Sequence, residues 1–262
     1  MQTVDKAMKL LGYFSAAEPE IGLSELARLA SFDKAATRRF LVALANHGFI
    51  EQDSDTRKYR LGPAFLRLAR IREATRPLAR TMQRALDGLS QATGETAHGS
   101  MLSGERLSII GVAEPQRPTR VSVDASQPLP LHATASGLAC LAFLGEEPAR
   151  QIIGAAPLRK HTGHTCGSKR DLKVLLGETR ERGYSMAVRT FDDEVISIAA
   201  PIFDATGSPI GALSVASIAS RFSKESERDI ARHVLKAAAS VTEATGGIIH
   251  PAIAVAIDRL RT

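Results

Sequence analysis

Disulfides have almost nothing to work with in this chain: two cysteines, Cys140 and Cys166, stand among 262 residues. No disulfide framework follows from them, and a reducing compartment, the cytoplasm, is expected. Long apolar runs are missing too. Nothing approaches the ~18 consecutive apolar residues of a membrane helix. The opening MQTVDKAMKL carries acidic Asp5 and no long apolar core, so no signal peptide is expected and no membrane partner. Internal repeats and low-complexity segments are also absent. So is a nucleophile elbow of the Gly-x-Ser-x-Gly type, and neither His98 nor His132 with a nearby serine makes a triad signal. An enzyme is therefore not expected, and no cofactor is called for.

What is present is an ordinary globular composition, 44% hydrophobic, in a length that suits two domains. The net charge of +6 is unevenly spread. Residues 34–72 hold nine basic and three acidic side chains, a concentration of positive charge that a phosphate-binding surface requires.

The first 62 residues read as three helices and a hairpin. Val4, Ala7, Met8, Leu10, Leu11 and Phe14 recur at helical spacing over 4–16, and Glu18-Pro19 ends that run. LSELARLA follows with Ser24 as its N-cap. A third helix starts about Asp33 and stops at His47-Gly48, glycine being the usual residue past a helix end. FIEQ and KYRL frame the polar DSDTR as a two-stranded hairpin. This is the outline of a winged helix-turn-helix.

Residues 63–76 suggest a linker helix, and LARTMQRALDGLSQATG another helix closed by Gly94. Beyond it the chain alternates. ERLSIIGVAE, TRVSV, ISIAAPIF and IGALSVAS read as strands. Helices are expected at 135–144, 147–153, 169–182 and 224–244, the third opened by a Ser168/Asp171 capping box. ATGSP (205–209) fits a hairpin turn. The fold class is α+β, the second domain, 77–262, being mixed α and β with an antiparallel sheet. Pro251 starts a last helix whose stripe of Ile253, Ala256, Ile257 and Leu260 docks on its own domain or on another subunit.

Within FDKAATRRFLVALANHGFIEQ (32–52), Thr37, Phe40, Leu41 and Leu44 form one face. Ala35, Arg39, Val42 and Asn46 lie opposite, with Lys34 and Arg38 on the flank. Small Ala35 and Ala36 at the N-terminal end let the backbone approach a major groove, which recognition helices enter by that end. Arginine reads guanine bidentately or clamps a phosphate. Lys34, Arg38 and Arg39 are the expected DNA contacts, Arg39 as a phosphate anchor. Arg57, Lys58, Tyr59 and Arg60 on the hairpin are placed to meet the backbone or minor groove. The competing readings are a solvated helix in a protein-binding sensor, or an enzyme built on the mixed domain.

The motifs then resemble those of a known family. Arg39-Phe40-Leu41, His47-Gly48-Phe49 and Tyr59-Arg60-Leu61-Gly62, after an LSELA helix, are similar to the isocitrate lyase regulator (IclR) family of bacterial transcription factors. GETAHGS (94–100), LPLHATASGLACLAF (129–143), HTGHTC (161–166), GYS (183–185) and SIAAPIFDATGSPIGALSV (197–215) continue the match through the second domain. The resemblance implies a winged helix-turn-helix joined by a linker helix to a GAF-like effector-binding domain. It also implies a homodimer or tetramer on palindromic double-stranded DNA operators, answering to small, often carboxylate, metabolites. The chain departs from the family pattern at Leu138, where lysine is frequent, and at Ser217-Ile218, in place of Gly-Pro. It departs again in the run Ser-Met-Ala-Val-Arg after Gly183-Tyr184, and at Ser197, where some relatives carry cysteine.

For the effector site, the expectation rests on Thr134, Ala135, Ser136 and Gly137, whose helix N-terminus forms an anion cradle. Ser197 and Ser214 stand on two strands of a mostly apolar pocket, and Arg189 supplies a charge partner for an acid. The alternative is that Thr134 and Ser136 only cap the helix and Ser197 faces solvent. His161, His164 and Cys166 are acceptable zinc ligands by type. Their spacing matches no common site and a fourth ligand is not evident, so no metal is expected.

Overall fold

The computed structural model describes residues 2–15, 17–75, 78–154 and 157–260. The chain divides into two units, Met1–Arg76 and Pro77–Thr262. Among the described residues no helix is long and apolar enough to cross a membrane.

The first unit contains α1 (Gln2–Leu11), α2 (Leu23–Ala30), α3 (Lys34–Asn46), β1 (Ile50–Gln52), β2 (Tyr59–Leu61) and α4 (Ala64–Thr75). Leu10, Ile21, Leu26, Ala30, Leu41, Leu44, Ile50 and Tyr59 make its core. Helix α1 ends five residues earlier than its apolar spacing suggests. Gly12 and Tyr13 close it with turn hydrogen bonds to Lys9 and Leu10, and the Tyr13 hydroxyl donates to the Leu29 carbonyl at 2.9 Å. The N-cap of α2 is Gly22, without a side-chain cap bond, and Ser24 lies inside the helix. Asp33 does cap α3, its Oδ1 accepting from the Ala36 N–H at 2.7 Å. At the far end Gly48 takes φ +72°, a conformation that costs glycine least. A Cβ on Gly62 would stand 2.3 Å from the Gly48 carbonyl oxygen. The two glycines therefore let the wing close onto the end of α3, where Gly62 N–H donates to Phe49 at 2.8 Å.

The second unit opens with α5 (Leu78–Thr93), β3 (Thr96–Ser103) and β4 (Arg106–Ala113). It continues with α6 (Ala135–Phe143), α7 (Glu146–Ile153), α8 (Lys169–Arg182) and β5 (Ser185–Val188). Then come β6 (Val195–Phe203), β7 (Pro209–Ile218), α9 (Lys224–Ala244) and α10 (Pro251–Arg259). The strands form one antiparallel sheet in the order β4-β3-β7-β6-β5. Helices α5 and α9 cover one face. Helix α6 covers the other, with α8 outside it. Cover on both faces explains why β6 and β7 read as nearly continuous apolar runs. Helix α10 packs on α8 and α9, burying Ile253 and Ala256 in its own unit.

Two strands escape the sequence pattern and one expected strand is absent. Central β3, TAHGSMLS, is polar in sequence yet buried over its first five residues. The four-residue β5 is too short to announce itself. TRVSV (119–123) forms no strand. Its ties to the sheet unit are a hydrogen bond from Thr96 Oγ1 to the Val121 carbonyl at 2.6 Å and one from Arg221 to the Thr119 carbonyl at 3.0 Å.

The cap on α3 yields a direct expectation. Asp33→Ala should lower the opening free energy of α3 amides by about 1 kcal/mol, read by hydrogen exchange. Unchanged protection would show that the Asp33 carboxylate adds nothing.

Candidate functional sites

Burial divides α3 cleanly. Thr37 and Leu41 are fully buried and Leu44 nearly so, while Lys34, Ala35, Arg38, Arg39, Val42, Ala43 and Asn46 are exposed. Ala36 is half-buried, and its N–H is already taken by Asp33. Arg38, Arg39, Val42, Ala43 and Asn46 line one shallow depression. Lys34, Arg38 and Arg39 take part in none of the ion pairs among the described residues. They present uncompensated charge.

The wing is built on Asp53, whose Oδ1 accepts from the Asp55 and Thr56 N–H groups and the Thr56 hydroxyl. Those hydrogen bonds, chiefly from Thr56, hold the Asp53 carboxyl below the ordinary carboxylate range. Arg57, at φ +60°, and Lys58 are exposed at the tip. Tyr59 corrects the sequence expectation. Its side chain is 5% exposed in the core, and its backbone exchanges two 2.9 Å hydrogen bonds with Ile21. The strand period turns residue 59 inward and its neighbours outward. Arg60 points out but is held by Glu51 and Glu20, at 3.2 and 3.5 Å.

In the second unit a cavity of about 320 Å³ lies on the sheet face that carries α6, within the range of small-ligand sites, roughly 300–1,000 Å³. Register explains its floor. Ala187, Ser197 and Ala216 are cross-strand partners in one row over β5, β6 and β7, and all three line the cavity. Small side chains leave the space. The start of α6 supplies Thr134 and Ala135, β3 supplies His98, and β4 supplies Ile109. Residues 121–124 and 127–129 form a strap, and Thr190, Phe191, Asp192 and Val195 complete the wall. The strap is held at one end by Thr96 and by Arg221, which also pairs with buried Glu95 at 3.0 Å. At the other end Leu129 donates to the Leu107 carbonyl at 2.8 Å.

Of the expected effector residues, Thr134, Ala135 and Ser197 line this cavity, and Ser136, Gly137, Arg189 and Ser214 do not. Ser214 belongs to the next same-face row, paired with His98 and Ala199, where it is fully buried and its hydroxyl donates to the Ile198 carbonyl. Gly137 is pressed against Leu131, whose carbonyl oxygen would lie 2.3 Å from an added Cβ, and its N–H is capped by Thr134. Ser136 reaches the cavity only through His98, 3.4 Å from Nε2. Arg189 takes φ +57° and pairs its N–H with the Val195 carbonyl. Thus among the described residues no lysine or arginine lines the cavity, whereas Asp124 and Asp192 do.

The HTGHTC segment has a structural explanation. Thr165 Oγ1 accepts from the His161 and Thr162 N–H groups and donates to the Thr190 carbonyl at 2.6 Å. Thr162 Oγ1 donates to the Arg189 carbonyl at 2.6 Å. The segment thereby staples down the 189–190 wall. Among the described residues no group of three or more His, Cys, Asp or Glu is placed to hold a metal ion.

These two features sit in units that comparison with known proteins identifies. A model of the C-terminal region of bacterial IclR transcriptional regulators matches residues 74–243, and one of the IclR helix-turn-helix domain matches residues 3–54. The chain belongs to the IclR family. It is 30% identical to the transcriptional repressor IclR of Escherichia coli, over 95% of this chain and 91% of that protein. A crystal structure of an IclR transcriptional regulator from a Silicibacter species superposes with TM-score 0.90 at 39% identity, covering 95% of this chain and 98% of that one. An IclR homologue from Microbacterium hydrocarbonoxydans, solved with 4-hydroxybenzoate, shares the fold at 21% identity and TM-score 0.76, over 92% and 98%. The match places the chain among DNA-binding transcriptional regulators, not enzymes.

The residues expected at the effector site of this IclR domain did not include His98, the 121–129 strap or the 190–195 wall, all of which line the cavity. His98 carried a signal, as a titratable side chain in a stretch that became the middle of the sheet. It is 7% exposed and its Nδ1 has no hydrogen-bond partner among the described residues. Burial pushes its pKa down to about 4 from the ordinary 6.5, so the ring is neutral at pH 7. An unfolded chain takes a proton near pH 6.5, and the folded one does not until about pH 4. The unfolded state therefore binds more protons across that window, and stability falls as pH falls through it. Urea unfolding should show wild type losing up to about 3 kcal/mol more than His98→Gln between those limits. Parallel curves would mean that the imidazole is not buried neutral.

Proposed function

We propose that this DNA-binding regulator works as a homodimer or tetramer on a palindromic operator in the cytoplasm, gated by a small carboxylate held in the second-unit cavity. The observation that carries the DNA half is the exposed, unpaired basic face of α3 opposite its buried stripe. In a dimer, two such helices would enter successive major grooves about one helical turn, ~34 Å, apart. Lys34, Arg38 and Arg39 act there with Ala35, Arg57 and Lys58. A gel-shift series over salt tests this. Arg38→Ala and Arg39→Ala should each weaken binding, and the salt slope should fall by about 1 for each lost phosphate contact. Salt-independent binding would instead support a protein-partner reading of the first unit.

For the ligand, α6 presents the N–H group of Ala135, which has no intrahelical partner, and the positive end of the helix dipole. Neutral His98 and Ser197 add hydrogen-bonding groups. The charge of a carboxylate is thus met by a helix terminus and neutral donors rather than by Arg189. Asp124 and Asp192, of the same sign as the acid, favour turning that end toward α6 and accepting a hydrogen bond from a hydroxyl on the ligand's other end. The 4-hydroxybenzoate of the Microbacterium relative has this two-ended character and is a reasonable first probe. Binding shifts operator affinity only if the DNA-competent and incompetent states differ in ligand affinity.

Calorimetry with 4-hydroxybenzoate and other small organic acids is the corresponding measurement. Ser197→Leu, which fills the floor of the cavity, should abolish binding by wild-type ligands, and Ser214→Ala should leave it intact. Undiminished binding by Ser197→Leu would remove the cavity from the mechanism. Ligand binding without any change in operator affinity at fixed salt would remove the gating.

A further inference from the structure

Helix α3 carries one side chain whose exposure its own unit does not explain. Val42 is 48% exposed, the only exposed large apolar residue on α3 among the described residues. It belongs neither to the core of its unit nor to the half-buried apolar side chains packed on that core. A β-branched residue is also a poor choice for an exposed helix position, since the helix restricts its χ1. Yet Val42 stands one turn beyond Arg38 and one turn before Asn46. It lines the same depression as Arg38, Arg39, Ala43 and Asn46. Ala35 and Ala43 on this face are small enough to let the helix backbone come close to a groove floor.

Major-groove base edges offer hydrogen-bond donors and acceptors at every base pair, and one apolar group, the C5-methyl of thymine. Arginine and asparagine match the polar edges. A valine between them has no polar atom to offer and would strip water from those edges without replacing it. Its matching partner in the groove is the methyl group. We propose that Val42 reads a thymine C5-methyl and thereby specifies one A·T pair in each operator half-site. This rests on α3 being the helix that reads DNA, with the basic side chains around Val42 supplying the phosphate anchoring.

The test uses the full-length protein. Duplexes are selected from a randomised pool, and each thymine of the selected duplex is replaced in turn by deoxyuridine, which removes only the methyl. One replacement per half-site should weaken wild-type binding about four-fold, the equivalent of exposing one buried methyl. In Val42→Ala the same replacement should have no effect, while affinity for unrelated duplex at low salt stays at the wild-type level. Because Val42 is exposed, circular dichroism of the variant should match wild type. The proposal is overturned if no deoxyuridine replacement affects wild type, or if Val42→Ala shows the same loss. Arg38→Ala separates this from the parent reading. Where it weakens DNA binding but the methyl has no effect, only the Val42 assignment fails. Where neither Arg38→Ala nor any selected sequence alters binding, α3 is not the reading helix and both fall.

Discussion

Burial of helix α6 on every side is the constraint on which the second unit depends. All eight residues from Ala135 to Ala142 are buried, between the sheet and α8. A helix that is buried all round must be narrow, and ASGLACLA supplies mostly small side chains for that purpose. Its polar ends must then be satisfied from outside. Arg180 Nε donates to the Ala142 carbonyl at 2.8 Å, and Thr134 caps the other end. Ser185 Oγ donates to the Ala135 carbonyl at 2.6 Å, tying that end to the sheet. The amino end of α6 is consequently fixed against β5 and β6, and the cavity opens just beyond it. The position of the proposed ligand site thus follows from packing and cap satisfaction.

The same logic runs through the smaller unit with a different currency. There the apolar stripe of α3 is held by a core that includes Ile21, Leu26, Ile50 and Tyr59, so the opposite face has no choice but to meet solvent or a partner. Uncompensated arginines on that face are tolerated because water or phosphate solvates them. Glu51 and Glu20, by contrast, are already engaged by Arg60. Charge on the wing tip and charge on α3 are thereby both left available.

Much of the secondary structure was legible because it is local. Asp33 and Ser168 mark helix starts that capping chemistry dictates, and Gly48, Gly94 and Gly207 mark reversals that demand positive φ. The misses are instructive. Ser24 has the right chemistry for a cap, but the chain enters α2 two residues earlier at Gly22. TRVSV has strand composition, yet it finds no strand partner and becomes the strap over the cavity. TAHGSMLS lacks strand composition and is nonetheless central, because β4 and β7 flank it.

What the sequence alone determined is the periodicity of each element, the basic bias of residues 34–72 and the assignment of faces on α3, all of which depend on neighbours within a few residues. Family membership was readable for the same reason, since its motifs are short. Which serines meet the cavity was decided only by tertiary structure. Ser197 and Ser214 look equivalent in sequence. Strand register sets Ser197 beside Ala187 and Ala216 over the open floor, and Ser214 one row along beside Ala199, where its hydroxyl is already used. Tyr59 turned into the core on similar grounds, and Arg189 falls outside the cavity lining. Cross-strand pairing and packing join residues far apart in the chain, and no local pattern encodes them.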